Sequence, residues 1–211
     1  MHKKIIFRHG LGLSNQFWNQ LLPFFHKYDC SLLDENYFNN NIKETRTEKS
    51  NVYVGIGHSL GFFKLCEEFP EAKYLIGINA FTNFLGQNAI LYTARCSEHE
   101  IFKQSFNNKP KKTLERFYKR CGIASNETDL SYINAEKIKT DLNLLAQKTK
   151  LPDDKKILII NSMDDQVVPT SITEDNFSNS KATIHYVQHG KHSLGFLHAE
   201  EISKIILDFI I

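Results

Sequence analysis

Short apolar runs alternate along this chain with longer stretches whose apolar residues recur at helical spacing. Strands joined by helical crossovers into a mostly parallel sheet leave that pattern in a sequence. "KKIIF" (Lys3 to Phe7) predicts a first strand, and "SNQFWNQLLPFF" predicts a helix with Ser14 as its cap and Phe17, Trp18, Leu21, Leu22 and Phe25 on its buried side. "CSLLD" (Cys30 to Asp34) reads as a brief second strand. The polar stretch from Glu35 to Ser50 reads as a loop with at most a turn of helix. "NVYVGI" is a central strand, "LGFFKLCEEF" a helix ended near Pro70, and "KYLIGIN" the next strand. From about 84 to 150 the strand signal gives way to helical stretches. Strands resume with "KKILII" (Lys155 to Ile160) and "ATIHYV" (Ala182 to Val187), before a terminal helix "AEEISKIILDFI". The expected fold class is therefore α/β, one domain over residues 1–211 with a helical insertion at about 84–150.

Composition narrows the function classes. A chain of 211 residues with 41% hydrophobic residues can bury one full-sized core and leaves little for a second. Its formal net charge of +2 gives no global field of the kind that draws nucleic acid or a membrane surface, so any electrostatic function is local. No apolar run approaches a membrane span, and "MHKKIIFRHG" is too short in its apolar part for a signal-peptide core, which suggests a cytoplasmic protein. Cys30, Cys66, Cys96 and Cys121 lack the spacing of a metal site and suit reduced thiols; no metal or other cofactor is expected.

The chemistry sits between the third strand and the helix after it, in Gly57-His58-Ser59-Leu60-Gly61. A serine on a sharp strand-to-helix turn projects its hydroxyl above the sheet edge, and glycines two residues to either side let the two backbones pass closely. The N–H of Leu60 would lie where an oxyanion needs a donor. The plain alternative is a glycine-rich turn with a capping serine. A serine hydroxyl needs a base, and the base an orienting acid. Asp164 and Asp165 follow the strand "KKILII", at the sheet edge where open α/β sheets collect ligands. His192 follows the last strand, with His189 as its rival three residues earlier. The chain order serine, acid, histidine is that of hydrolases built on α/β sheets.

These residues carry a family likeness. The chain resembles an α/β-hydrolase from end to end, and within that superfamily it is most similar to the BioH- and BioG-type methyl ester esterases that act on pimeloyl-acyl-carrier protein in biotin synthesis. "RHGLGLSNQFW" resembles the family's HGxG segment, and "GHSLG" its nucleophile elbow. In "SMDDQVVP" the family's acid-loop spacing falls on Ser162, Asp165, Val168 and Pro169. "GKHSLGFLHAEEISKIILDFI" resembles the histidine loop and terminal helix, and "FKQSFNNKPKKTLERFYKRCG" the cap. The chain departs from the pattern at Leu11, where these esterases tend to carry tryptophan, and after Leu33, where a glycine-rich turn is missing. The resemblance implies Ser59 as nucleophile, His192 as base, Asp165 as acid, and the N–H groups of Leu11 and Leu60 as oxyanion donors.

The resemblance also implies a partner, an acyl carrier protein bearing a pimeloyl methyl ester. Carrier proteins are acidic, and between Arg95 and Ser125 eight basic residues face three acidic ones. Lys111, Lys112, Arg116, Lys119 and Arg120 are the candidates for carrier binding, against the bland alternative of a solvated helix face. Two other functions stay open: a short-chain carboxylesterase or thioesterase with the same triad, and a binding protein of the same fold without chemistry.

Overall fold

Successive side chains of a strand face opposite ways, and in this protein both faces of the sheet are apolar. The computed structural model describes residues 3–38, 52–124 and 129–210. Six strands, β1 (Lys4–Arg8), β2 (Asp29–Leu33), β3 (Val52–His58), β4 (Tyr74–Ile78), β5 (Lys156–Ser162) and β6 (Thr183–Val187), form one sheet in the order β2-β1-β3-β4-β5-β6. All neighbouring strands are parallel. Ile5 and Phe7 of β1, Val54 and Ile56 of β3 and Ile76 and Ile78 of β4 join one core with Trp18, Phe25 and the terminal helix (Ala199–Phe209). Ile6, Leu75 and Ile159 point the other way, against α1 (Leu60–Glu68) and α5 (Thr170–Phe177). Burial on both faces is why the strands read as continuous apolar runs.

Parallel strands bring their carboxyl ends to one edge. Ser59, Asn79, Asp165 and His192 come after β3, β4, β5 and β6 respectively, so segments far apart in sequence converge there. Over that edge the chain inserts α2 (Ala89–Asn108), α3 (Pro110–Cys121) and α4 (Ala135–Leu144) between β4 and β5. An isolated antiparallel bridge from Asn83 to Lys148 ties the two ends of the insertion together.

A buried charged network seats α4 on the sheet. Lys64 of α1 lies 2.6 Å from Glu35 Oε2 and 2.7 Å from Asp141 Oδ2 of α4. Arg8 reaches Glu35 at 2.6 Å, Lys137 joins both carboxylates, and the Tyr37 hydroxyl donates to Asp141. Each carboxylate thus meets more than one cation, which is what offsets the cost of removing it from water.

Three sequence expectations need correction or restriction. The helix expected from Ser14 to Phe25 is two 3₁₀ turns, Asn15–Trp18 and Leu22–Phe25, and Ser14 makes no capping bond from its side chain. Pro23 disfavours one continuous α-helix, because it has no N–H to give to the carbonyl of Asn19 and its ring crowds that carbonyl; Leu22 is half-buried. Helix α5 was not anticipated, although parallel β5 and β6 require a crossover. Of the loop from Glu35 to Ser50, residues 39–50 lie outside the described residues. Cys30, Cys66, Cys96 and Cys121 are free thiols, and burial raises the pKa of Cys66 and Cys121. Among the described residues no helix is long and apolar enough to cross a membrane, and no cluster of residues suited to a metal ion occurs.

Candidate active site

Ser59 follows β3 at φ 53° and ψ −123°, a backbone conformation that costs a non-glycine residue about 1–3 kcal/mol. Packing on either side enforces it. A Cβ at Gly57 would overlap the backbone of Phe62, and one at Gly61 would overlap the carbonyl oxygens of Arg8 and His9. The two glycines therefore allow α1 to turn back directly over β1 and β3, with the serine at the apex.

His192 and Asp165 meet that serine. His192 Nε2 lies 3.1 Å from Ser59 Oγ, and His192 Nδ1 lies 2.8 Å from Asp165 Oδ2. Both the histidine and the aspartate are buried. With a proton on Nδ1 facing the carboxylate, Nε2 is the acceptor for the serine hydroxyl. Asp165 is itself held: its Oδ1 accepts the N–H groups of Val167 at 2.7 Å and Val168 at 2.9 Å, and its Oδ2 accepts from Asn79 Nδ2 at 2.7 Å.

The neighbouring candidates separate cleanly. Asp164 turns away and accepts from the Ser162 hydroxyl and, at 2.8 Å, from the N–H of Lys191. Burial alone would raise its pKa, yet those hydrogen bonds hold it below the ordinary aspartate value. Asp164 thus anchors the loop that carries His192, while Asp165 faces the imidazole. His189 is exposed and His192 is the histidine at the serine. Leu60 opens α1, where the first N–H groups have no intrahelical acceptor. Leu11 lies in the turn after β1 that Leu13 N–H closes onto Gly10 O.

A cavity of about 60 Å³ reaches Ser59 and Leu11. Phe84, Phe102, Phe117 and Leu142 supply apolar walls, largely from the inserted helices. Two arginines also line it. Arg95 of α2 is buried, and its guanidinium donates to Val167 O at 2.7 Å and to Glu98 at 2.9 Å. Desolvation lowers its pKa, and Glu98 opposes that shift. Arg120 of α3 donates to Gln166 O and stands 3.7 Å from Glu98. The insertion therefore grips the two carbonyls immediately after Asp165. Lys111, Lys112, Arg116 and Lys119 are exposed on α3, whereas Arg120 is committed to the acid loop.

Sequence reading missed Asn79 and the pairing of Arg95 with the acid loop. Asn79 left a faint signal, a polar residue closing an apolar strand. It is fully buried with φ 48°, and one amide group reaches Asp165, Asn161 Oδ1 and Lys191 O. Arg95 left none, since a charge on a helix reads equally well as exposed.

No protein-family model matches the chain, and no curated protein matches it. Similar solved structures include a bromoperoxidase from Bacillus anthracis, 18% identical with a TM-score of 0.74, covering 100% of this chain and 92% of that one. The esterase EaEST from Exiguobacterium antarcticum is 12% identical with a TM-score of 0.76, over 99% of this chain and 91% of its own. MenH from S. aureus is 11% identical with a TM-score of 0.72, over 99% and 93%. These likenesses show the fold: the chain has the α/β-hydrolase fold, built on a single parallel six-stranded sheet with helices. A shared fold at this level of identity does not single out the carrier-protein esterases among its members.

Proposed function

We propose that the protein is a serine carboxylesterase, and that its substrate is the methyl ester of pimeloyl-acyl-carrier protein. The observation that carries the esterase reading is the continuous relay from Ser59 through His192 to Asp165, set in a strained elbow beside an apolar cavity. Ser59 attacks the ester carbonyl while His192 takes its proton. Asp165 keeps the imidazole in the useful tautomer and stabilises it when charged. The N–H groups of Leu11 and Leu60 receive the oxyanion, each contributing about 3 kcal/mol to the transition state. His192 then protonates the departing alkoxide, methanol leaves, and water activated by the same imidazole releases the acid. No step calls for a metal or organic cofactor.

The carrier-protein part of the reading draws support from the resemblance in sequence and from the exposed cations Lys111, Lys112, Arg116 and Lys119 on the helix over the cavity. The small size of the cavity, about 60 Å³, favours a second reading: a broader esterase for short-chain esters. A binding protein without chemistry is disfavoured by the complete relay. The test is complementation of a biotin auxotroph lacking its methyl ester esterase, scored beside a Ser59→Ala control and a chromogenic short-chain ester panel. Growth that depends on Ser59 supports the carrier-protein substrate; ester hydrolysis without growth supports the broader enzyme.

A further inference from the structure

The loop that carries His192 is strained where it matters. Gly190 has φ 141° and Lys191 has φ 48°, so the backbone needs external support to keep the imidazole in place. Two donors from adjacent strand ends supply it. Asn79, after β4, donates from Nδ2 to Lys191 O at 3.1 Å. His58, the last residue of β3 and the one before Ser59, donates from Nε2 to His192 O at 2.7 Å.

We infer that His58 is a positioning residue for His192, fixing the main chain of the base to the strand that presents the nucleophile. A carbonyl can only accept, so His58 Nε2 carries the proton. Its Nδ1 is buried without a hydrogen-bond partner, beside Gly10, where an added Cβ would stand 2.7 Å away. The ring packs on Phe17, centroids 4.4 Å apart, and on the His192 ring at 4.7 Å. Burial, the adjacent His192 and nearby His9 hold the His58 pKa well below its ordinary value, although the bond to the His192 carbonyl opposes this. The ring stays neutral and the donor stays present wherever His192 works. Ser59 lines the cavity and His58 does not, so its effect is exerted through His192 and not on substrate.

The inference rests on the esterase reading, and its test separates the two. Two variants are compared with wild type on a neutral chromogenic ester: His58→Gln, whose amide N–H can reach the same carbonyl, and His58→Leu, which fills space without a donor. His58→Leu should lose about 10- to 100-fold in kcat with KM within about twofold, because small misplacements of a catalytic group cost rates of that order. His58→Gln should stay within a few-fold of wild type. The downfield NMR proton on His192 Nδ1 should persist in wild type and His58→Gln, and shift or broaden in His58→Leu. Equal losses in both variants, an undiminished kcat in His58→Leu, or a loss confined to KM overturns the assignment. Should wild type neither hydrolyse esters nor accept a fluorophosphonate at Ser59, the esterase reading falls. The His192 proton then decides positioning alone, and an unchanged signal in His58→Leu overturns it.

Discussion

His192 Nδ1 stands 2.8 Å from Asp165 Oδ2, while the adjacent Asp164 faces the other way and holds the Lys191 N–H. Two aspartates side by side thus serve one loop differently, one orienting the ring and the other its backbone. Asp165→Asn should lower kcat by about 10³- to 10⁴-fold, since an amide cannot stabilise the imidazolium and favours the wrong tautomer. Asp164→Asn keeps an acceptor for the Lys191 N–H and should lose less than about tenfold. Steady-state kinetics on one ester decide it, and similar mild losses in both variants would place the acid elsewhere.

Ser59 should be the residue that a fluorophosphonate modifies. Its hydroxyl is 3.1 Å from His192 Nε2 and lines the cavity, and the elbow leaves it no other orientation for its backbone. Peptide mapping after labelling should find the adduct on Ser59. Ser59→Ala should lose about 10⁴-fold or more in kcat, leaving a residue of activity from the oxyanion donors. Labelling of a different serine, with activity retained in Ser59→Ala, removes Ser59 from the mechanism.

How much of this was legible in the sequence depended on how local the cause was. The elbow could be read because its requirements lie within five consecutive residues, Gly57 to Gly61, and the flanking strand and helix are strongly patterned. His192 could be placed by its position after the last strand, and the acid-loop spacing of the family resemblance favoured Asp165 over Asp164, a choice that only the tertiary contacts display directly. The helix expected over Ser14 to Phe25 failed because its apolar spacing suited a helix while Pro23, with no N–H for the Asn19 carbonyl, did not. His58, Asn79 and Arg95 act through partners in distant segments, at sequence separations of 134, 86 and 72 residues, so no local pattern announces them.

Glu35 gives a prediction on stability. Burial alone would raise its pKa, but Arg8, Lys64 and Lys137 together hold it far below the ordinary value of 4.5. A carboxylate with a depressed folded-state pKa stabilises the fold fully above its unfolded value and loses that contribution as pH falls through the window below it. Glu35→Gln removes the charge but leaves Lys64 paired with Asp141 and Arg8 with Glu68, which should cost about 1–3 kcal/mol at pH 7. Urea denaturation at several pH values should show the gap between wild type and Glu35→Gln narrowing below about pH 4.5. A gap that stays constant down to pH 3 contradicts the assignment.

The last prediction concerns the exposed cations of α3 and separates a carrier-protein enzyme from a general esterase. Lys111, Lys112, Arg116 and Lys119 are exposed, so under the proposed carrier-protein reading their charges would act on encounter and docking and leave the relay of Ser59, His192 and Asp165 alone. Replacing all four with glutamate should raise KM for methyl pimeloyl-acyl-carrier protein by about tenfold or more, with little change in hydrolysis of a small neutral ester. Added salt should imitate the substitution, because exposed charges are screened beyond a Debye length of about 8 Å at physiological ionic strength. Arg120 must be tested apart from the others. It donates to Gln166 O beside the acid loop, so Arg120→Glu should impair both substrates and would hide a docking effect. An equal loss on both substrates from the four-residue variant would mean a damaged cap. No loss on either would make these lysines and Arg116 an ordinary solvated face and remove the charge-based support for a carrier-protein partner.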